Sequence, residues 1–319
     1  MATYLITGAA GFIGSSLART LLQRGEQVRG LDNFSTGKRE NLADLGRMDF
    51  YETSLLDLPT VSQACRGVDY VFHEAAIPSV PKSVADPGAT NRANVEGTLN
   101  LLIAARDAQV KRVVYAGSSS VYGESPTLPK REDMPPDPIS PYAVSKLAGE
   151  LYMTSFYRVY GLETVTLRYF NVFGPYQDAD SQYSGVLAKF IMLMLRGEPP
   201  TVFGDGEQSR DFTYIDNVVA ANLLACSAPA AQVVGRVINA ATGSRITLNK
   251  TFEILKEMTG YTGTAHYGPE RAGDIKHSLA DISLAAKLMG YKPVARFEEG
   301  LARTVAWYRT QAAKSVAMR

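Results

Sequence analysis

Tyr142 and Lys146 stand four residues apart in SPYAVSKLAGE. On a helix that spacing puts both side chains on one face. A free tyrosine titrates near pH 10 and is a poor base at neutrality. An adjacent ammonium favours the phenolate, so the pair reads as a proton-transfer site with Tyr142 as the base. A little upstream, AGSSSVYG carries Ser118, Ser119 and Ser120 at the end of an apolar run. A hydroxyl there can share or pass a proton with a substrate oxygen. Tyrosine and lysine at this spacing occur in many helices, and a serine run is often only a polar turn. The weight comes from what accompanies them.

That companion is TGAAGFIG, with Gly8, Gly11 and Gly14 around Phe12 and Ile13. It follows a short apolar run and opens a helical pattern. Glycine allows a tight turn, close approach of backbone to a pyrophosphate, and close helix–strand packing. The helix start adds unpaired N–H groups and a positive dipole end. Asp32 ends the next apolar run, where an acid accepts hydrogen bonds from adenosine ribose hydroxyls and repels the extra phosphate of NADP. NAD is therefore the expected cofactor, although Lys38 and Arg39 follow closely and are placed to meet a phosphate. A bound nicotinamide cation would further favour the Tyr142 phenolate, and Lys146 would reach the nicotinamide ribose.

These groups need a scaffold, and the hydrophobic pattern supplies one. Strands are expected at residues 3–6, 27–31, 69–73, 112–116 and 163–168, with helices at 13–24, 95–108 and 147–160. This alternation implies an α/β fold, a Rossmann-type doubly wound parallel sheet whose strand ends face a ligand crevice. After Asn171 the pattern loosens. Helices are expected at 186–196, 216–227, 248–259 and 301–313, and residues 237–240 read as a strand able to rejoin the main sheet. The expected division is a cofactor domain at 1–170, with 215–240 returning to it, and a smaller interwoven substrate domain over most of 171–319.

Composition narrows the function classes. Over 319 residues the chain is 45% hydrophobic and 20% charged, with a net charge of +1. That offers no field for nucleic acid or an anionic membrane surface. The N-terminus reads as a strand rather than a signal peptide, and no apolar stretch reaches the roughly 18 residues a membrane helix needs. Two cysteines and three histidines form no metal-ligand spacing. A cytoplasmic protein without a metal site is expected.

TGAAGFIG, Asp32, FHEAA, GSSSVYG, PYAVSK, LRYFNVFGP, DGEQSRDFTYIDN and RAGDIKHS together resemble the extended short-chain dehydrogenase/reductase family, over about residues 3–310. The nucleotide-sugar branch, and within it the UDP-hexose 4-epimerases that accept N-acetylated sugars, is the most similar. The resemblance implies that Ser118, Tyr142 and Lys146 are catalytic. It places Asp32, Asn33, Ser35 and Gly37 at the adenosine ribose, Ser54 and Leu55 near the adenine, and Ala75, Ala76 and Tyr169 along the NAD site. Ser83, Ser119, Ser120 and Asn171 would meet the sugar or diphosphate. Val186, Lys189, Phe190, Thr201, Val202 and Phe203 would form the uridine pocket. Arg210 and Arg271 would clamp the diphosphate as planar forks, and Asp274 would bind the uridine ribose.

Two departures bear on cofactor and reaction, and a further one, at Ser278, bears on sugar size. Ser54 replaces an acid that many members offer to the adenine amine. Ser119 and Ser120 stand where sugar dehydratases and decarboxylases carry acids, and neither hydroxyl is a general acid at neutral pH. Ser278 replaces a bulky aromatic that closes the pocket in epimerases restricted to simple hexoses. The implied activity is therefore NAD-dependent inversion at C4 of a UDP-hexose through a 4-keto sugar, with UDP-GlcNAc and UDP-GalNAc accepted beside UDP-Glc and UDP-Gal. Rival readings are a UDP-glucuronate 4-epimerase using Lys82 or the serine run, a nucleotide-sugar oxidoreductase that releases NADH, and a silent NAD-binding regulator. The family pattern also implies a homodimer through the helices at 95–108 and 147–160.

Overall fold

The computed structural model describes residues 1–46, 48–179, 185–270 and 276–317. Among them, seven strands form one parallel sheet: β1 (Thr3–Thr7), β2 (Gln27–Asp32), β3 (Asp49–Glu52), β4 (Tyr70–His73), β5 (Arg112–Ser118), β6 (Glu163–Tyr169) and β7 (Arg236–Ala240). Their order is β7-β6-β5-β4-β1-β2-β3. The chain starts at β1, winds outward to β3, then returns past β1 to β4 and winds the other way. The switch between β1 and β4 leaves a crevice at the carboxyl ends of the strands, where open α/β sheets bind ligands. Residues 237–240 do rejoin the sheet, as β7 beside β6, with Val237 opposite Thr166 and Ala240 opposite Tyr169.

The central strands are apolar because both of their faces are covered. Every residue of β5 before Ser118 is buried. One face is packed by α2 (Leu58–Cys65), α3 (Gly97–Asp107) and α4 (Pro141–Tyr160), through Val61, Leu101, Leu102, Met153 and Phe156. The other face carries α1 (Phe12–Gln23) and, from the second half of the chain, α5 (Val186–Leu195), α6 (Ile215–Ser227), α7 (Leu248–Thr259) and α8 (Phe297–Ala317). Ile6, Leu17, Val218, Phe190, Leu255 and Val305 belong to a single apolar cluster there. The later segments are thus fused to the sheet through shared core.

Helix α4 starts six residues before the apolar periodicity suggests. Ser140 Oγ accepts from Ala143 N at 3.2 Å, and Pro141 occupies the first turn. A serine cap followed by proline is a strong start signal. It brings Tyr142 into the first turn, one helical turn before Lys146. Strand β3 and helix α2 are additions to the expected set. His73 is also explained: its ring bridges Thr7 Oγ1 at 2.8 Å and Thr98 Oγ1 at 2.9 Å, and burial holds it neutral with a pKa near 3. Cys65 and Cys226 are buried free thiols. Among the described residues, no helix is long and apolar enough to cross a membrane, and no group of three His, Cys, Asp or Glu is placed to hold a metal.

Candidate active site

A cavity of about 1000 Å³ opens along the carboxyl ends of β1, β2, β4, β5 and β6. That is at the top of the range for a single drug-sized ligand. A neighbouring cavity of about 260 Å³ continues it, lined by Val186, Thr201, Phe203 and Leu248. Asn171 and Arg210 lie on the walls of both, so the two form one extended trough.

At one end Gly8, Gly11, Phe12, Ile13 and Gly14 wrap the start of α1. The close packing requires glycine. A Cβ on Gly14 would sit 2.2 Å from Gly8 O, and Gly8 has φ +69 with Ala75 N only 2.8 Å from its missing Cβ. Gly11 caps α1 with no side-chain hydrogen bond, and the first turn holds no acid. The helix therefore turns a positive end, with its N–H groups, toward the cavity. Asp32 is buried; its Oδ2 accepts from Ala10 N at 2.9 Å and its Oδ1 from Phe34 N at 2.8 Å. Those bonds fix the carboxylate while each oxygen keeps a lone pair for a ribose. A Cβ on Gly37 would be 2.9 Å from Asp32 Oδ2. Asn33, Ser35, Ser54, Leu55, Ala75 and Ala76 complete the lining. This cradle fits a dinucleotide. Lys38 and Arg39 pair with Asp178 at 2.8 Å and Glu52 at 2.6 Å.

At the other end the chemistry residues converge. The Tyr142 phenol is hydrogen-bonded to Ser118, whose Oγ is also 2.8 Å from Ser120 Oγ. Ser119 and Ser120 line the same wall, with Tyr169 and Asn171. Tyr142 N donates to Ser83 Oγ at 3.0 Å, and Ser83 Oγ donates to Val80 O at 2.7 Å. Ser83 is fully buried, so its hydroxyl sets the start of α4 from inside.

Lys146 has a backbone partner that its spacing from Tyr142 does not reveal. Its Nζ donates to Ala116 O at 2.9 Å and lies 5.0 Å from the Tyr115 ring centroid. Burial pushes the Tyr142 phenol above its ordinary value, opposed only by the Ser118 hydrogen bond. The Lys146 ammonium is directed at the Ala116 carbonyl of β5. Burial also draws Lys146 down to about 8, against the pull of Glu74 and Glu150.

The remaining expected residues divide by position. Asn171 Nδ2 donates to Ser278 Oγ at 3.0 Å and to Asp211 O at 3.1 Å, so Ser278 stands on the cavity wall locked to Asn171. Arg210 Nη1 donates to Ser209 O and Lys276 O. Val186, Thr201 and Phe203 line the smaller cavity, while Phe190 and Val202 are buried in the core behind it and Lys189 is half-buried on α5. Arg271 and Asp274 lie outside the described residues. Sequence reasoning passed over Glu74, Lys130 and His277, all on the main cavity wall.

A family model described as the NAD dependent epimerase/dehydratase family matches residues 4–241. The chain belongs to that family. Its members' NAD dependence accounts for the cradle at β1 and β2. A UDP-glucose 4-epimerase from Thermotoga maritima, solved with UDP-glucose, is similar with a TM-score of 0.92 and 40% identity, covering 97% of this chain and 99% of that one. A UDP-N-acetylglucosamine 4-epimerase from Methanobrevibacter ruminantium, solved with UDP-N-acetylmuramic acid, is similar with a TM-score of 0.92 and 43% identity over the same shares. A UDP-glucuronate 4-epimerase from Thermodesulfobacterium geofontis is 37% identical over 321 residues, 96% of each chain.

Proposed function

We propose that this enzyme inverts C4 of a UDP-hexose, working on UDP-glucose and UDP-galactose and, in the same cleft, on their N-acetylated counterparts. The observation that carries this is one cavity joining a dinucleotide cradle to a buried phenol–serine pair and continuing past Arg210 into a second trough. NAD, held by the Gly8–Gly14 turn and Asp32, would supply a reversible hydride acceptor for C4 of the sugar. Tyr142 Oη accepts the proton of the 4-hydroxyl, with Ser118 Oγ bridging, and returns it when the alcohol re-forms. Lys146, held by Ala116 O, positions the ribose and supplies positive charge below the reacting centre. Arg210 and Arg271 grip the diphosphate; Val186, Thr201 and Phe203 flank the base. A firmly held nucleotide with a loosely held hexose lets the 4-keto sugar present its other face. Ser119 and Ser120 offer no acid to expel water or carbon dioxide, which sets the reaction apart from dehydration and decarboxylation.

Sugar range rests on Ser278. A serine tied to Asn171 leaves volume where an aromatic would close the wall. Ser278→Tyr is expected to cut turnover of the acetylated sugars by about tenfold or more, the scale of a steric pocket change, while sparing UDP-glucose. Equal loss on both series would count against this reading. A glucuronate reading draws on Lys82, which lies on the same wall as the serine run and is able to face a sugar carboxylate.

We further propose a homodimer through α3 and α4, since α4 leaves Val144 and Leu151 52% and 63% exposed, two turns apart on one side. The deciding experiment is incubation of the purified protein with UDP-glucose, UDP-N-acetylglucosamine and UDP-glucuronate without added NAD, followed by separation of products. C4 epimers are expected from the first two. Accumulation of NADH absorbance with no epimer would instead indicate a dehydrogenase.

A further inference from the structure

Glu74 follows β4 directly, at the switch point of the sheet, and lines the half of the cavity that holds Ser118, Tyr142 and Tyr169. Its Oε1 accepts from Tyr169 Oη at 2.8 Å, and Tyr169 Oη accepts from Asn222 Nδ2 at 2.8 Å. Its Oε2 is buried and has no hydrogen-bond partner. Among the described residues Glu74 takes part in no ion pair within 4 Å; the charge of Lys146 reaches it across the cavity wall, while the Lys146 Nζ donates to Ala116 O. Of the other acids on this wall, Asp32 sits in the adenosine cradle and Asp178 pairs with Lys38. A buried oxygen with no partner costs on the order of 1–3 kcal/mol, so it needs a partner that comes with a ligand. Two donors in series, from Asn222 through Tyr169, end on this carboxyl and support its ionised form. Burial pushes the other way and outweighs both the Tyr169 hydrogen bond and the Lys146 charge, leaving the carboxyl raised to about 7.

We propose that Glu74 is a redox-selective cofactor contact: its carboxylate pairs with the cationic nicotinamide of oxidised NAD and holds the bound couple on the oxidised side. This rests on the NAD-dependent reading of the site. The oxidised ring carries a positive charge and the reduced ring carries none, so a carboxylate on the wall beside Tyr142 and Ser118 would separate the two forms by charge alone. An isomerase of this kind must release the hydride it takes. A site that favoured the reduced cofactor would stall with keto sugar, and a buried anion opposes that outcome.

The test is the ratio of affinities for NADH and NAD in cofactor-stripped protein, wild type against Glu74→Gln, read by nicotinamide fluorescence and calorimetry. Loss of one buried charge contact is expected to shift the ratio toward NADH by about tenfold, which for a two-electron couple raises the midpoint potential of bound cofactor by about 30 mV. Should the amide variant not fold, Glu74→Met gives the same reading with similar side-chain length. An unchanged ratio, or equal weakening of both forms, overturns the assignment and leaves NAD dependence standing. Wild-type protein that binds neither form would instead sink the cofactor reading itself.

Discussion

At the residue scale, the account turns on a phenol. Tyr142 enters the sequence as a base lowered by its lysine neighbour, and the structure assigns that work differently. The phenol is raised by burial, with Ser118 as its hydrogen-bond partner, and Lys146 is turned to Ala116 O. Tyr142→Phe is expected to lower turnover by about 10²-fold or more, the usual scale of a positioned base, with NAD content and melting temperature unchanged. The sign of the pH effect follows: the base works deprotonated, so wild-type turnover falls as pH falls, and the phenylalanine variant loses that dependence. A variant with near-normal turnover removes Tyr142 from the mechanism. Position in the chain was legible here, but orientation was not. Spacing put tyrosine and lysine on one face, and only the fold shows a backbone carbonyl competing for the ammonium. Glu74 was equally hidden, an acid inside an apolar run whose neighbours Ala75 and Ala76 drew the attention.

At the element scale, the glycine turn and β2 were readable because their constraints are local. Gly14 has no room for a methyl group, with Gly8 O 2.2 Å from its would-be Cβ. Gly14→Ala is expected to open the turn at about 1–3 kcal/mol, the usual cost of forcing atoms into packed space, and to empty the protein of NAD. Absorbance at 260 nm of the supernatant after heat precipitation checks it; a normal cofactor yield would show that the turn does not hold the pyrophosphate. Elements shaped by context were harder to see. Strand β3, read DFYE, lies at the sheet edge half-exposed and shows no apolar run. Helix α2 buries only Val61, Ala64 and Cys65, though Asp57, which caps Thr60 N at 3.3 Å, and Pro59 mark its start. The early start of α4 was written in Ser140 and Pro141, a polar capping signal that apolar periodicity overlooks.

At the scale of the whole molecule, the later helices complete the site without forming a separate core. The apolar cluster that runs from Ile6 and Leu17 to Leu301 and Val305 fixes the trough of α5 and Arg210 against the cofactor cradle. Alternation of strand and helix made the sheet legible from the start. The merging of cores was legible only as the absence of a linker. The apolar side of α4 gives the assembly its test: Leu151→Glu is expected to convert a dimer to a monomer in sedimentation velocity, with circular dichroism unchanged. Wild-type protein sedimenting as a monomer would end the dimer proposal.

In the proposed reaction one hydride leaves C4 and comes back to it. UDP-glucose carrying deuterium at C4 puts that to the test in the purified enzyme. The product is expected to be UDP-galactose with the deuterium kept at C4 and no NADH released. Label lost to water, or deuterated NADH accumulating in place of the epimer, would contradict it.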